Sequence, residues 1–310
     1  MKDTNPSETF STHVNRRKVS ATFGVKPGSV KMNNALQIHI ENHVAHVRLN
    51  RPEAHNAIDG AIMNGLLGFA QKMMEPGEVR VIVLSGNGKS FCAGLDMSSF
   101  AEMSSGELSG DSENVAQAMQ DISAGGANRA QQIGWLWQEV PIPVIAAVQG
   151  AALGGGLNLA LGADLRLVHP AAKLGFVEIT WGLLPDMSAS QSLRRLVSLD
   201  RMKELIFTGR KFSGEQALQY GLATELSDNP VDGALAMANT IASRNPDAIR
   251  AAKQLLNRCA LVDVATGLAE EAATTRQLLG SANQLEAVTA QFEGRAPGFK
   301  SFPAWGQEER

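Results

Sequence analysis

The first regular pattern in the chain is an alternation. Leu36, Ile38 and Ile40 alternate with Gln37, His39 and Glu41; past Asn42-His43, Ala45, Val47 and Leu49 alternate with His46 and Arg48. Two period-two runs joined by a short polar turn predict a β-hairpin with one buried face. Pro52 ends the second strand and opens a loop through Asn56. Asp59 is placed to cap a helix running to about Met74, since Ile62, Leu66, Phe69 and Met73 share one helical stripe. Pro76-Gly77 breaks that helix. Residues 79–84 are β-branched and apolar without alternation, which predicts a strand covered on both faces.

Residues 98–128 are rich in Ser, Gly and acids and predict a mobile lid or pocket edge. A helix follows over 127–139, carrying Trp135 and Trp137. Then come a strand at 143–148, a glycine turn at 150–156, a helix from Leu157 and a strand at 163–168. Strands separated by helices predict an α/β fold with a partly parallel sheet. Ser213 and Gln216 have the spacing of a capping box, and 222–226 reads as a last short strand. From about Pro230 the chain is Ala- and Leu-rich, with Pro246 dividing two helices and one long helix expected near 264–292. Three parts result: a flexible basic arm over 1–33, a core over 34–228 and a helical region over 229–310. No repeat at solenoid spacing is present.

Composition narrows the classes. The 310 residues are 44% hydrophobic but only 5% aromatic, with 30 glycines, so small residues must carry much of the close packing. The net charge of -3 excludes a dominant basic surface, so nucleic acid is not an expected partner. Residues 1–31 nevertheless carry +4, leaving -7 for the remainder. They hold no apolar core and are not a secretory signal. They read as a solvated arm, or as sequence upstream of a start at Met32; a cytoplasmic location is expected, with organellar import through the arm left open. Residues 140–163 lack charge over a bilayer's length, but Pro141, Pro143, Gln149, Asn158 and five glycines fit a buried strand, a turn and a small-residue helix instead of a span. Cys92 and Cys259 cannot form a disulfide framework and are expected as buried thiols in a reducing compartment.

Several chemistries are absent. The run from Gly150 to Gly156 does not fit a dinucleotide fingerprint and lacks the Lys-Ser/Thr of a phosphate loop. No Gly-x-Ser-x-Gly elbow occurs. His39, His43 and His46 lie on the hairpin, where they are expected as solvated positions and not as a metal site. Cys92 has no local feature that would activate its thiol. Two glycine turns remain, Ala93–Asp96 and Gly154–Gly156, each after an apolar strand and the second opening a helix. N–H groups at such turns can be aimed at one developing oxyanion. Tight turns needed only for packing are the alternative.

With these residues in order, the chain resembles the enoyl-CoA hydratase/isomerase (crotonase) superfamily. The likeness runs through Leu49-Asn50-Arg51-Pro52, Asn56-Ala57, Ser90–Asp96, Gln149–Gly156, Ala163–Arg166, Phe176–Ile179, Gly182–Pro185 and Phe207–Arg210 with Ala217 and Gly221-Leu222. The resemblance implies a crotonase-like ββα-spiral core with a helical C-terminal region that builds trimers or hexamers. It implies an acyl-CoA thioester as substrate, with no metal or redox cofactor beyond the CoA moiety. The oxyanion donors would be the backbone N–H groups of Leu95 and Gly155, and CoA would meet Glu53, Ala54, His55, Leu95, Asp96 and Met97. Lys89, Arg51 and Lys300 are further candidates for CoA phosphates, each equally readable as a solvated cation.

The reaction turns on three positions. Hydratases of this family hold a water between two glutamates. The second matches Glu178, but the first falls on Asn158, an amide that can orient a water yet cannot take its proton. Double-bond isomerisation needs one carboxylate to move a proton between carbons, and Glu178 suffices. Asp186 stands where dienoyl-CoA isomerases resemble this chain in carrying a second acid, and it also reads as an N-cap for a helix starting near Met187. Isomerisation is therefore expected, with hydration or a non-catalytic acyl-CoA-binding role as alternatives. Of Trp135, Trp137 and Trp181, at least two are expected in the core and the remainder at an acyl pocket.

Overall fold

A computed structural model describes residues 28–105 and 113–301. The hairpin is β2 (Leu36–Glu41) and β3 (Val44–Leu49), preceded by β1 (Gly28–Asn33). Asn42 and His43 both adopt positive φ, the backbone that a two-residue hairpin turn needs to match strand twist. Strand β1 pairs antiparallel with β2, so residues 28–33, expected within the flexible arm, lie in the sheet. After α1 (Gly60–Lys72), β4 (Val81–Gly86) adds to β3 in parallel. The Asp59 side chain accepts from the Ile62 N–H at 2.8 Å and caps α1 as expected.

Three helices follow: α2 (Met97–Ser105), α3 (Glu113–Gln120) and α4 (Arg129–Glu139). The first two lie inside the segment expected to be a mobile loop. Next come β5 (Val144–Val148), β6 (Ala151–Leu153), α5 (Gly155–Gly162), β7 (Leu165–Val168) and β8 (Lys173–Gly175). They lead to α6 (Ala189–Leu193), α7 (Leu199–Thr208), β9 (Phe212–Ser213), α8 (Gly214–Tyr220) and β10 (Glu225–Leu226). Ser213 and Gln216 form the expected capping box at the start of α8. The main sheet has the order β1-β2-β3-β4-β5-β7-β10, parallel from β3 onward, and a small sheet has the order β6-β8-β9.

The unbroken apolar run of β4 is explained by two cores. Ile82 and Leu84 join the cluster under α1, α4 and α5, while Val81 and Val83 join a second cluster on the opposite face. Helix α9 (Pro230–Ala242) closes that face with Ala234, Ala238 and Ala242, a four-residue repeat of small side chains. Helix α10 (Pro246–Cys259) reaches back with Lys253, whose buried ammonium donates to the carbonyls of Trp137 and Ile142 at 2.7 and 2.9 Å and pairs with Asp164 at 2.8 Å. The long helix expected near 264–292 is two, α11 (Val264–Leu278) and α12 (Ala282–Glu293). Gly280, at φ +77°, ends the first. Cys92 is buried as expected, whereas Cys259 is exposed at the end of α10. Among the described residues no helix is long and apolar enough to cross a membrane.

Candidate active site

The two glycine turns lie side by side. Residues 91–93 run along 149–153 as a short parallel ladder: the Phe91 N–H donates to the Gln149 carbonyl, Cys92 to Ala151, and Leu153 back to Cys92, at 2.8–3.1 Å. Past the ladder, both chains turn at glycines with positive φ, Gly94 at +99° and Gly154 at +49°. A Cβ on Gly94 would stand 2.8 Å from the Leu153 carbonyl oxygen and 3.7 Å from the Gly155 nitrogen. A Cβ on Gly156 would collide with the Cys92 carbonyl. Glycine is thus required by close approach of two backbones, and that approach brings the turns together.

On its far side, Leu95 is pinned by Ile58. The Ile58 N–H donates to the Gly94 carbonyl at 2.7 Å, and the Asp96 N–H donates to the Ile58 carbonyl at 3.0 Å. Gly155 opens α5, where the first N–H groups have no intrahelical acceptor. Among the described residues, neither the Leu95 nor the Gly155 N–H has a protein acceptor. Two free donors in adjacent turns, one backed by a helix dipole, suit an oxygen that gains negative charge.

Glu178 lies on the 3-10 turn Val177–Trp181, and Asn158 lies in the first turn of α5. The Asn158 Nδ2 donates to Glu178 Oε1 at 3.1 Å. A Cβ on Gly154 would stand 3.4 Å from the Glu178 carboxyl, so the acid sits against the turn that presents the Gly155 N–H. Burial pushes the Glu178 carboxyl above its ordinary range; the nearby Asp186 charge adds to this, and the Asn158 hydrogen bond opposes it. Glu178 Oε2 and Asn158 Oδ1 are both buried without a protein partner.

Asp186 does not cap a helix. Helix α6 begins at Ala189, and its cap residue is Ser188, held at φ +70° with no side-chain capping bond. The left-handed backbone at Ser188 delays the helix past Asp186. The Asp186 carboxyl keeps a solvent-facing side, yet the protein around it still raises its pKa by desolvation. Met187, buried next in sequence, packs its sulfur on Gly155, and Ile58 packs on the same glycine. Neither Met187 nor Ile58 was marked by any sequence pattern as part of the site.

Arg51 turns inward, away from a role in phosphate binding. Its Nη1 donates to the Ala57 carbonyl at 2.8 Å and to Asp96 Oδ2 at 2.9 Å, with Asp59 at 3.3 Å. Asp96 also accepts from the Ser98 N–H and hydroxyl, and these bonds hold its carboxyl below the usual range. Glu53, His55, Met97 and Lys89 are exposed around this turn, and Ala54 is half-buried. Lys300 lies elsewhere, its backbone bracketing the Asn283 side chain. Of Trp135, Trp137 and Trp181, only Trp137 is fully buried, with its indole N–H on the Ile133 carbonyl; Trp181 is half exposed on the same 3-10 turn as Glu178, and Trp135 lies under Arg195. Burial raises the Cys92 thiol to about 12, which leaves it no nucleophilic role at neutral pH. The hairpin histidines do not converge: His39 meets Glu41, His43 meets the Glu78 carbonyl, and His46 is partly buried against Ser85 rather than solvated.

The family model for enoyl-CoA hydratase/isomerase matches residues 39–302. The chain belongs to this family. It is 35% identical to mouse enoyl-CoA hydratase domain-containing protein 2, mitochondrial, covering 83% of this chain and 84% of that protein. It is also 35% identical to the Mycosarcoma maydis enoyl-CoA isomerase/hydratase fer4, covering 83% and 92%. The crystal structure of enoyl-CoA hydratase from Bacillus anthracis superimposes with a TM-score of 0.77 at 32% identity, covering 86% of this chain and 99% of that one. The α/β crotonase fold with its helical C-terminal region is therefore that of an enoyl-CoA hydratase/isomerase family enzyme.

Proposed function

We propose that the protein isomerises the double bond of an enoyl- or dienoyl-CoA. The observation that carries this reading is the Asn158–Glu178 pair. One partly buried carboxylate with a raised pKa stands against the oxyanion turn, and its partner is an amide that cannot accept a proton. In the reaction, Glu178 takes a proton from the carbon next to the thioester. The electron pair moves onto the thioester oxygen, where the Leu95 and Gly155 N–H groups stabilise it as an enolate. Glu178 then returns the proton farther along the chain as the double bond shifts, with no net gain or loss of atoms. Asp186 serves as the second acid when the substrate is a dienoyl thioester and the proton must return at a more distant carbon.

The CoA moiety would lie along Glu53–His55 and Leu95–Met97, the exposed rim of the oxyanion turn. Self-association would use the exposed apolar residues of the C-terminal helices, among them Leu268, Leu285 and Phe292.

Hydration is the second reading. Glu178 Oε2 and Asn158 Oδ1 are both unpartnered acceptors, which a single water can bridge. The two readings separate in one experiment: incubation with 3-enoyl-, 2-enoyl- and 3,5-dienoyl-CoA in D₂O, followed by mass and NMR analysis of wild type and Glu178→Gln. Isomerisation leaves the mass unchanged apart from deuterium and is abolished by Glu178→Gln. Addition of one water to 2-enoyl-CoA supports hydration, and acyl-CoA binding without turnover overturns both.

A further inference from the structure

Two side chains press on the turn that presents the Gly155 N–H. A Cβ built on Gly155 would meet the Met187 Sδ at 2.8 Å and the Ile58 Cδ1 at 3.3 Å. The two neighbours differ in stiffness. Met187 is unbranched and adaptable, whereas Ile58 is branched at Cβ and restricted at χ1. Ile58 is also only 1% exposed, so the surrounding core leaves its side chain no room to swing. Of the two, Ile58 is the one built to fix a distance.

Ile58 reaches the other donor turn through its backbone. Residues 55–58 run beside 93–96: the Ala93 N–H donates to the His55 carbonyl at 3.0 Å, Ile58 to Gly94 at 2.7 Å, and Asp96 to Ile58 at 3.0 Å. In the parallel pairing of Ile58 with Leu95, Ile58 bonds to the two residues that flank its partner. The partner's own N–H and C=O then point to the other side. This leaves the Leu95 N–H turned away from Ile58 and free of a ladder bond. The main chain of Ile58 is itself held from both sides, since Arg51 donates to the Ala57 carbonyl at 2.8 Å and Asp59 caps α1.

We propose that Ile58 is a positioning residue for the oxyanion site: its backbone aims the Leu95 N–H, and its δ-methyl sets how far the Gly155 N–H stands from it. This rests on the reading of Leu95 and Gly155 as the two oxyanion donors. Such donors act over a narrow range, about 2.7–3.1 Å from the oxygen, so a methyl-sized slackening between the turns costs transition-state stabilisation without removing a contact to substrate.

Ile58→Val tests this, because it deletes Cδ1 and keeps the backbone and the Cβ branch. Ile82→Val is the control, an equally buried isoleucine of the same core cluster on β4. The probe is butanoyl-CoA, ¹³C-labelled at its thioester carbonyl and bound to the full chain. Its saturated chain has no double bond to shift or hydrate, so the carbonyl stretch is read by isotope-edited infrared spectroscopy without turnover. Wild type and Ile82→Val should give the same band, displaced to lower frequency than in solution. Ile58→Val should move the band back toward the solution value. With the enoyl-CoA that wild type converts, Ile58→Val should lower kcat by about tenfold and leave KM within about twofold, a fraction of the loss expected when a whole donor is removed. An unshifted band in wild type overturns the donor reading, and the role of Ile58 with it. A shifted band that is unchanged in Ile58→Val, or an equal change in Ile82→Val, overturns the role of Ile58 alone.

Discussion

Asn158 gives Glu178 a hydrogen bond at 3.1 Å, and that bond, together with a backbone hydrogen bond, works against the rise that burial gives the acid's pKa. Removing it should move the proton transfer to higher pH. For Asn158→Ala, the alkaline-rising limb of kcat/KM is expected to shift upward in pH, with kcat reduced by about tenfold at pH 7. Asn158→Glu should do something different, adding a second carboxylate and raising hydration of 2-enoyl-CoA relative to isomerisation. A pH–rate profile for each variant checks both.

Under the proposed mechanism, Glu178 also links activity to stability. Its folded-state pKa is raised, so the folded protein binds this proton more tightly than the unfolded chain. The associated stability is present at low pH and is lost as pH rises through the folded value. Glu178→Gln should therefore be more stable than wild type at pH 7 to 8, with Tm higher by about 2–4 °C for each kcal/mol recovered. The difference should vanish below the pKa of an ordinary glutamate. The same variant should lose about 10²–10⁴ in turnover. Melting curves between pH 4 and 8 check the sign.

Gly94→Ala is expected to reduce kcat by about 10²–10³ with little change in KM. The new Cβ would meet the Leu153 carbonyl at 2.8 Å in a backbone held at φ +99°, so relief requires the Leu95 N–H to move. Gly155→Ala meets only the flexible Met187 sulfur and the tip of Ile58, and should be the milder change. Comparing the two by steady-state kinetics separates displacement of a donor from crowding beside one.

His46 predicts an acid limit. Burial, aided by Arg48 and His39, lowers its pKa from 6.5 to about 4. A lowered histidine favours the folded state above pH 6.5, and this contribution is lost as pH falls toward 4. It is on the order of 2–3 kcal/mol. His46→Gln should flatten the stability profile across that window, measured by urea unfolding at pH 4, 5, 6 and 7.

Much of the core was legible because its determinants are local. The alternation of 36–49, the Asp59 cap and the Ser213–Gln216 box need only a few neighbouring residues. Glu178, Asn158 and the two glycine turns were recognisable as an ordered set of motifs, and the spacing of any one would not have sufficed. Other features depend on distant partners. Arg51 turns inward because Asp96 waits 45 residues on. His46 is covered because β4 lies beside it. Ser188 breaks the helix expected after Asp186 through a left-handed backbone that Ser seldom adopts. At Gly280 the helical composition continues on both sides, so the break is hidden in the pattern.

The reach of Lys253 across more than a hundred residues sets a schedule for synthesis. Until α10 has left the ribosome, the Trp137 and Ile142 carbonyls lack their donor and Asp164 lacks its counter-charge. The opposite face of the main sheet likewise waits for the alanines of α9. The two glycine turns and Glu178 are complete in sequence by Asp186, but a nascent chain halted there would still expose the underside of its own sheet. Such a chain is a client for a chaperone rather than an early enzyme.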